Sequence, residues 1–315
     1  MKPARLVALA LLGASVLVAV PATAHADPAP GTTAVHIAAA TDQARAEVID
    51  HWTPDRMRNA TPLDLLEVDP AELDTHVRTG APRQVAPTAL PEPGAPWDGG
   101  GDVTATAGRV FFSLDGQDAS CSGNAVTSAN GSTVLTAGHC VKYQGSWHTN
   151  WVFVPGYHDG EAPYGEWAAT QTLTTPQWEA GEDMNYDVGI GVVGQVDGRT
   201  LTDVVGAQGV SFNGEYNLDM YSFGYPAADP YDGTTLIYCS ATSGTDFLLT
   251  DDHMLACDMT GGSSGGPWFV DFDETTGTGQ QASVNSFGYV FLPGYMFGPY
   301  FGDVVEDLYD TAQNA

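Results

Sequence analysis

The stretch Thr260-Gly261-Gly262-Ser263-Ser264-Gly265-Gly266-Pro267 sets serine between pairs of glycines and closes with proline. Glycine lacks a Cβ, so it takes positive φ and lets a ligand approach the backbone closely. A tight loop of this composition can hold one hydroxyl outward while aiming neighbouring N–H groups at a single point. Such donors are what an acyl-transfer reaction needs for the oxyanion of its transition state. The plain alternative is a Gly/Ser-rich surface loop, and a short motif alone does not decide between the two.

Two further stretches decide it. Thr136-Ala137-Gly138-His139-Cys140 follows the apolar Val134-Leu135 directly. A histidine at a strand end, restrained by a neighbouring bridge, suits a general base near neutral pH. Read alone it is a packed histidine; read beside the Ser264 loop it is a base. The third member of such a set is a carboxylate on the far imidazole nitrogen. Asp187, in Asn185-Tyr186-Asp187-Val188-Gly189-Ile190, immediately precedes an apolar strand, where an unpaired charge would be costly. Glu182 and Asp183 lie in a more polar stretch, and Asp197 in a glycine-bounded turn, so Asp187 is the candidate.

From Ala105 onward the chain consists of short β-type runs punctuated by Gly, Asn and Asp. They include Arg109–Leu114, Val134–Ala137, Trp151–Pro155, Asp187–Val193, Met220–Gly224, Thr235–Cys239 and Ser283–Phe291. Strands at this spacing predict an all-β sandwich or pair of barrels. Asp303–Ala312 places Val304, Val305, Leu308, Tyr309 and Ala312 on one face of a short C-terminal helix.

The first hundred residues differ. Met1-Lys2-Pro3-Ala4-Arg5, an apolar run from Leu6 to Val20 and Ala24-His25-Ala26 read as a signal peptide spanning 1–26, too short to anchor in a bilayer. A secreted protein is expected. Residues 27–104 carry no cysteine, many prolines and five of the eight basic residues that remain after the leader. They read as a propeptide ending in a Pro/Gly-rich linker, Gly80 to Gly101, with helix-compatible spacing at Leu63, Leu66 and Leu73. Arg83-Gln84 and Arg109-Val110 are candidate processing points, and residues 105–315 form the main domain.

Net charge is −29 over 315 residues. From Ala105 on, 26 acidic residues face three basic ones, giving −23. Such a surface repels nucleic acid and anionic membranes and excludes both as partners. Four cysteines fit an oxidising compartment. Three pairings exist, of which the local ones, Cys121 with Cys140 and Cys239 with Cys257, are expected. No Cys-x-x-Cys, His-x-x-x-His or Asp-x-Asp-x-Asp-Gly spacing accompanies them, so neither metal nor cofactor is expected.

Thr-Ala-Gly-His-Cys, an Asp heading an apolar strand and Gly-x-Ser-Gly-Gly-Pro, in the order His139, Asp187, Ser264, resemble the chymotrypsin-type serine peptidases, and among them the bacterial secreted V8-like or trypsin-like branch. The resemblance runs from about Gly108 to the C-terminus. It implies two packed six-stranded antiparallel β-barrels with the site between them, His139 and Asp187 from the first and Ser264 from the second. It further implies Cys121–Cys140 as the bridge anchoring the histidine loop, an oxyanion hole of the Gly262 and Ser264 N–H groups, and a monomer acting on polypeptide. Ser263 stands where many digestive relatives carry the Asp that binds a new N-terminal ammonium. Activation is therefore expected to work by lifting the pro-segment's blockade.

The substrate pocket is less sharply written. Asp258 lies at the spacing where trypsin-like members place a carboxylate for Arg or Lys, and equally where an Asp serves its own loop. Asn285-Ser286-Phe287-Gly288 resembles the family's Ser-Trp-Gly pocket wall, with Phe287 in place of the Trp, and Phe287, Tyr289 and Phe291 read as barrel packing. No histidine follows Ser264, which disfavours cleavage after Glu. Two other classes remain to be separated: a silent double-barrel homologue that binds a partner, marked by loss of a triad member, and an esterase, marked by strand–helix alternation that this chain lacks.

Overall fold

The computed structural model describes residues 32–63, 66–67 and 92–315. The leader, Leu73, Arg83-Gln84 and most of the expected linker lie outside the described residues.

Ala107–Leu114 and Gln117–Val126 pair antiparallel from end to end, with Leu114 opposite Gln117. Asp115 and Gly116 join them, both at positive φ, 50° and 81°. Asp-Gly is a dipeptide that adopts this primed turn, whose twist matches that of the strands it connects. From this hairpin the sheet continues through Thr133–Thr136, Gly189–Val193, Trp167–Thr174 and Thr149–Pro155. Thr149–Pro155 pairs again with Ala107–Leu114, closing a six-stranded antiparallel barrel.

The strand period of two explains why these segments read as unbroken apolar runs. Val110, Phe112, Trp151 and Phe153 fill the barrel with Leu135, Leu173 and Ile190. Their neighbours Phe111, Val152 and Val154 face the other way and are buried too, against Phe223 and Phe269 of the second half and against Val48, Trp52 and Met57 of the N-terminal segment.

The second half is built from two sheets. One contains Thr278–Val284, Pro267–Asp273, Asp219–Gly224 and Ile237–Thr242; the other contains His253–Ala256, Tyr295–Gly298 and Phe287–Gly288. The disulfide Cys239–Cys257 ties them together. The architecture is all-β, a closed six-stranded barrel packed with a second half of two sheets. The C-terminal helix, Asp303–Gln313, buries Val305, Leu308 and Ala312 in the core of the first barrel, with Tyr309 packed alongside and Val304 only half-buried. Among the described residues no helix is long and apolar enough to cross a membrane.

Four local expectations are corrected. Leu63 and Leu66 are not helical: Leu66 lies in the short strand Leu66–Glu67, and the helices are Asp42–His51 and Pro54–Asn59, capped by Thr41 and Thr53. Glu92–Pro96, inside the expected linker, is an edge strand on Ile237–Thr242. Ser283–Phe291 is broken after Val284, and Phe291 is exposed rather than packed, while Phe287 and Tyr289 are buried. Arg109 lies buried within a barrel strand, its guanidinium against Phe111 and Tyr157, so a cut at Arg109-Val110 would open the barrel itself.

Residues 32–63 dock on the same body. Ala34–Ile37 adds a strand to Trp167–Thr174. Trp52 is buried and donates its indole N–H to the Asn150 carbonyl at 2.7 Å.

Candidate active site

His139 occupies a 3-10 turn, Gly138–Cys140, just past Thr133–Thr136. Cys140 is bridged to Cys121 in the neighbouring strand. The carbonyls of the turn and of the strand after it are also tied down. His148 Nε2 donates to the His139 oxygen at 2.8 Å, Trp151 Nε1 to that of Cys140 at 3.0 Å and Trp178 Nε1 to that of Lys142 at 2.8 Å. His148 is itself buried and stacked on Phe112, and burial lowers its pKa to about 4. It is therefore neutral at pH 7 and serves as a fixed donor.

Asp187 follows a second 3-10 turn, Met184–Tyr186, and is fully buried. Its Oδ1 accepts the His139 backbone N–H at 2.7 Å; its Oδ2 accepts from His139 Nδ1 at 2.7 Å and from Ser286 Oγ at 2.6 Å. A carboxylate facing Nδ1 puts the imidazole proton there and leaves Nε2 with its lone pair outward. Gly138 makes the approach possible, since a Cβ there would stand 2.9 Å from Asp187 Oδ1 and 2.8 Å from the Trp178 ring.

Ser264 is presented by a loop that only glycine can build. Gly262 and Gly265 have φ of +92° and +80°; a Cβ on Gly265 would lie 2.1 Å from Thr136 Oγ1 and one on Gly266 2.0 Å from the Phe223 carbonyl. The loop is fastened to the first barrel, where the Ser122 N–H donates to the Ser264 carbonyl at 2.7 Å and Ser122 Oγ to the Gly262 carbonyl at 2.9 Å. Asn285 fastens it to the second: its backbone exchanges hydrogen bonds with Gly265 and Gly266, and its side-chain N–H groups reach the Phe223 and Ser263 carbonyls. Ser263 Oγ donates to the Thr260 carbonyl at 2.8 Å, within its own turn.

Three polar atoms of the residues described above are left over. His139 Nε2, His148 Nδ1 and Ser264 Oγ are buried without a hydrogen-bond partner. Buried polar groups are rarely left so, and each such exception calls for an explanation. The Gly262 N–H donates at 2.9 Å to the carbonyl of Leu63.

A grouping of Cys121, His139 and Cys140 has the compactness of a metal site, but both sulfurs are spent in the disulfide. Asp258 is exposed, takes the Tyr231 hydroxyl at 2.7 Å and lies against Gly94, while its N–H donates to the Pro93 carbonyl. Its carboxylate is thus engaged by Tyr231, and its backbone by the surface strand Glu92–Pro96.

Solved structures with this fold include close sequence relatives. Protease Anisep from Arthrobacter nicotinovorans is 44% identical, covering 67% of this chain and 96% of its own, with a TM-score of 0.64. The thermostable serine protease AL20 from an extremophilic microorganism is 40% identical over 68% of this chain and 99% of its own, also at 0.64. The chain belongs to the chymotrypsin-type serine proteases. A Glu endopeptidase bound to MPD, at 17% identity and a TM-score of 0.57 over 71% of this chain and 98% of its own, shares the fold alone. No family model matches the chain, and no curated protein matches it.

In this serine protease, sequence reasoning named His139, Asp187 and Ser264 but not the residues that hold them. Ser286, expected in a pocket wall, is turned onto Asp187, and Asn285 is spent on the Ser264 loop. Phe287 is buried among Trp178, Met184, Tyr289 and Phe297. Ser122 and His148 carry no motif; only their distance of one and nine residues from Cys121 and His139 connects them to the site.

Proposed function

We propose that this protein is a secreted serine endopeptidase, exported by the leader at residues 1–26 and held inactive by residues 27–104 until they are removed. Ser264 is the nucleophile, His139 the general base, and Asp187 the group that holds the imidazole tautomer and stabilises the imidazolium. Ser264 Oγ bonds to the scissile carbonyl carbon as its proton passes to His139 Nε2. The carbonyl oxygen, now an anion, is received by the Gly262 and Ser264 N–H groups, where fixed donors in a dry site act most strongly. The C–N bond then breaks, and Nε2 returns the proton to the leaving amine. Water, deprotonated by His139, attacks the acyl carbon; the C–Oγ bond breaks, Nε2 returns the proton to Ser264 Oγ, and the acid is released. The substrate is a polypeptide, the catalytic body works as a monomer, and no cofactor takes part in the scheme.

The buried 2.7 Å Nδ1–H···Oδ2 contact supports this reading most directly, because it points the basic lone pair of Nε2 away from Asp187. Reaction of the secreted, processed form with a serine-directed phosphonyl reagent tests it. One equivalent on Ser264 is expected, and none in Ser264→Ala; an unlabelled wild type would overturn it.

A further inference from the structure

A protease must admit a chain, yet His139 and Ser264 are 0% exposed. The body's own N-terminal segment is bound beside them, its Leu63 carbonyl on the Gly262 N–H two residues before Ser264. Two strand edges flank them, at Ala119–Ser120 in the first barrel and Phe287–Gly288 in the second half. Thr61–Pro62 pairs with the first edge, Thr61 opposite Ala119 and Pro62 opposite Ser120, and the Leu63 N–H extends the ladder to the Ser120 carbonyl at 2.9 Å. Leu66–Glu67 pairs with the second edge, Leu66 opposite Phe287 and Glu67 opposite Gly288. Between the two edges the Leu63 carbonyl sits on the Gly262 N–H, the donor assigned above to the oxyanion. Leu66 is buried among Trp178, Met184, Phe287, Tyr289 and Phe297.

Resting on the serine-protease reading, we infer that the stretch holding Thr61–Leu63 and Leu66–Glu67 is a built-in occupant of the substrate cleft. It joins both cleft walls by strand addition, fills the oxyanion hole with the Leu63 carbonyl and anchors Leu66 in the aromatic pocket.

Strand addition to exposed edges is how extended peptides are recognised generally. What distinguishes this occupant is its direction. Both pairings are parallel, whereas a peptide pairing antiparallel with the same edges, the more stable sense per residue, would cross the cleft the other way. The segment thus blocks the cleft without lying in it as such a peptide would, and it is not cut there. It is held upstream as well: the His51 ring is hydrogen-bonded to Asp118 at 2.9 Å, while Arg56 meets Asp118 at 3.4 Å and Arg58 meets Asp159 at 3.4 Å, guanidinium groups of the segment against the acidic body.

The uncut proform and the processed form are compared by the rate at which a phosphonyl reagent labels Ser264. Wild-type proform is expected to label at least 100-fold more slowly than the processed form, and Leu66→Asp in the uncut chain to recover most of that rate. Leu66→Ala, which removes about three buried carbon groups, should raise it about 10- to 100-fold, and keeps the test open should the Asp variant not fold. Mass spectrometry should find the chain intact between Leu63 and Leu66. Proform labelling as fast as the processed form, or a cut between Leu63 and Leu66, would overturn the inference. Failure of the processed form to label would instead overturn the protease reading.

Discussion

Asp187→Asn changes one atom and should silence the enzyme, for a reason that can be followed donor by donor. Asp187 receives three donors: the His139 backbone N–H on Oδ1, and His139 Nδ1–H with Ser286 O–H on Oδ2. The backbone N–H cannot turn. Pointing the new NH2 group at it would leave two buried donors face to face, a loss of about 1–3 kcal/mol for the unpaired group alone. The asparagine is therefore forced to put its oxygen on the backbone and its NH2 on the imidazole. Nδ1 must then become an acceptor, the ring proton moves to Nε2, and Nε2 can no longer take the proton of Ser264. Ser286 can follow by rotating its hydroxyl, so nothing opposes the switch. A wrong tautomer in a triad lowers kcat by about 10⁴, or about 5.4 kcal/mol of transition-state stabilisation. The assay is kcat on a peptide substrate with the processed enzyme, with a ¹⁵N-labelled imidazole reporting which nitrogen carries the proton. A fall of less than tenfold, or a proton still on Nδ1, would refute the reasoning.

Three further outcomes are expected. Gly265→Ala should destabilise the protein by more than about 3 kcal/mol in urea unfolding, because the new Cβ meets the Ser122 carbonyl at 2.5 Å and the Ala137 nitrogen at 2.8 Å at a positive φ; a change within 1 kcal/mol would show that the loop relaxes freely. Asp258→Asn should leave the cleavage profile on a peptide library unchanged within about threefold, since its carboxylate is engaged by Tyr231, whereas loss of a preference for Arg or Lys would make it a specificity residue. Burial lowers both His148 and His253 to a pKa of about 4 from 6.5. The unfolded chain binds those protons first, so stability present above pH 6.5 should fall as pH drops towards 4, by roughly 3 kcal/mol for each histidine; a urea midpoint flat from pH 7 to 4.5 would contradict this.

Much of the architecture was written in local chemistry. Asp115-Gly116 turns the first hairpin, and the apolar runs around Val110 and Phe153 are continuous because both faces of those strands are buried. The helices at Pro176–Gly181 and Leu201–Val205 also had a local signature that went unread, Thr-Pro at the start of one and a Thr200/Asp203 capping box in the other. The candidate catalytic groups were legible for a different reason. Glycines at 138, 265 and 266 are demanded by close approach, and that demand is visible as composition. The supporting groups were not. Ser286 is one serine among many until the second half folds and brings it to Asp187, 99 residues away. Leu63 and Leu66 carried a helical spacing, but edge pairing with Ser120 and Phe287 outweighs that weak propensity, and such pairing leaves no periodic trace over so few residues.

Trp52, Met57 and Val48 share a core with Phe111 and Val152, so the N-terminal segment is more than a stopper laid on the surface. Severing the chain beyond it would not by itself uncover the cleft, because a nicked segment keeps its apolar foothold. On the reading proposed above, clipping and shedding would be separate events. A freshly cut molecule would linger as a silent two-piece complex, waking only as the fragment drifts off or is itself digested by a neighbour already awake.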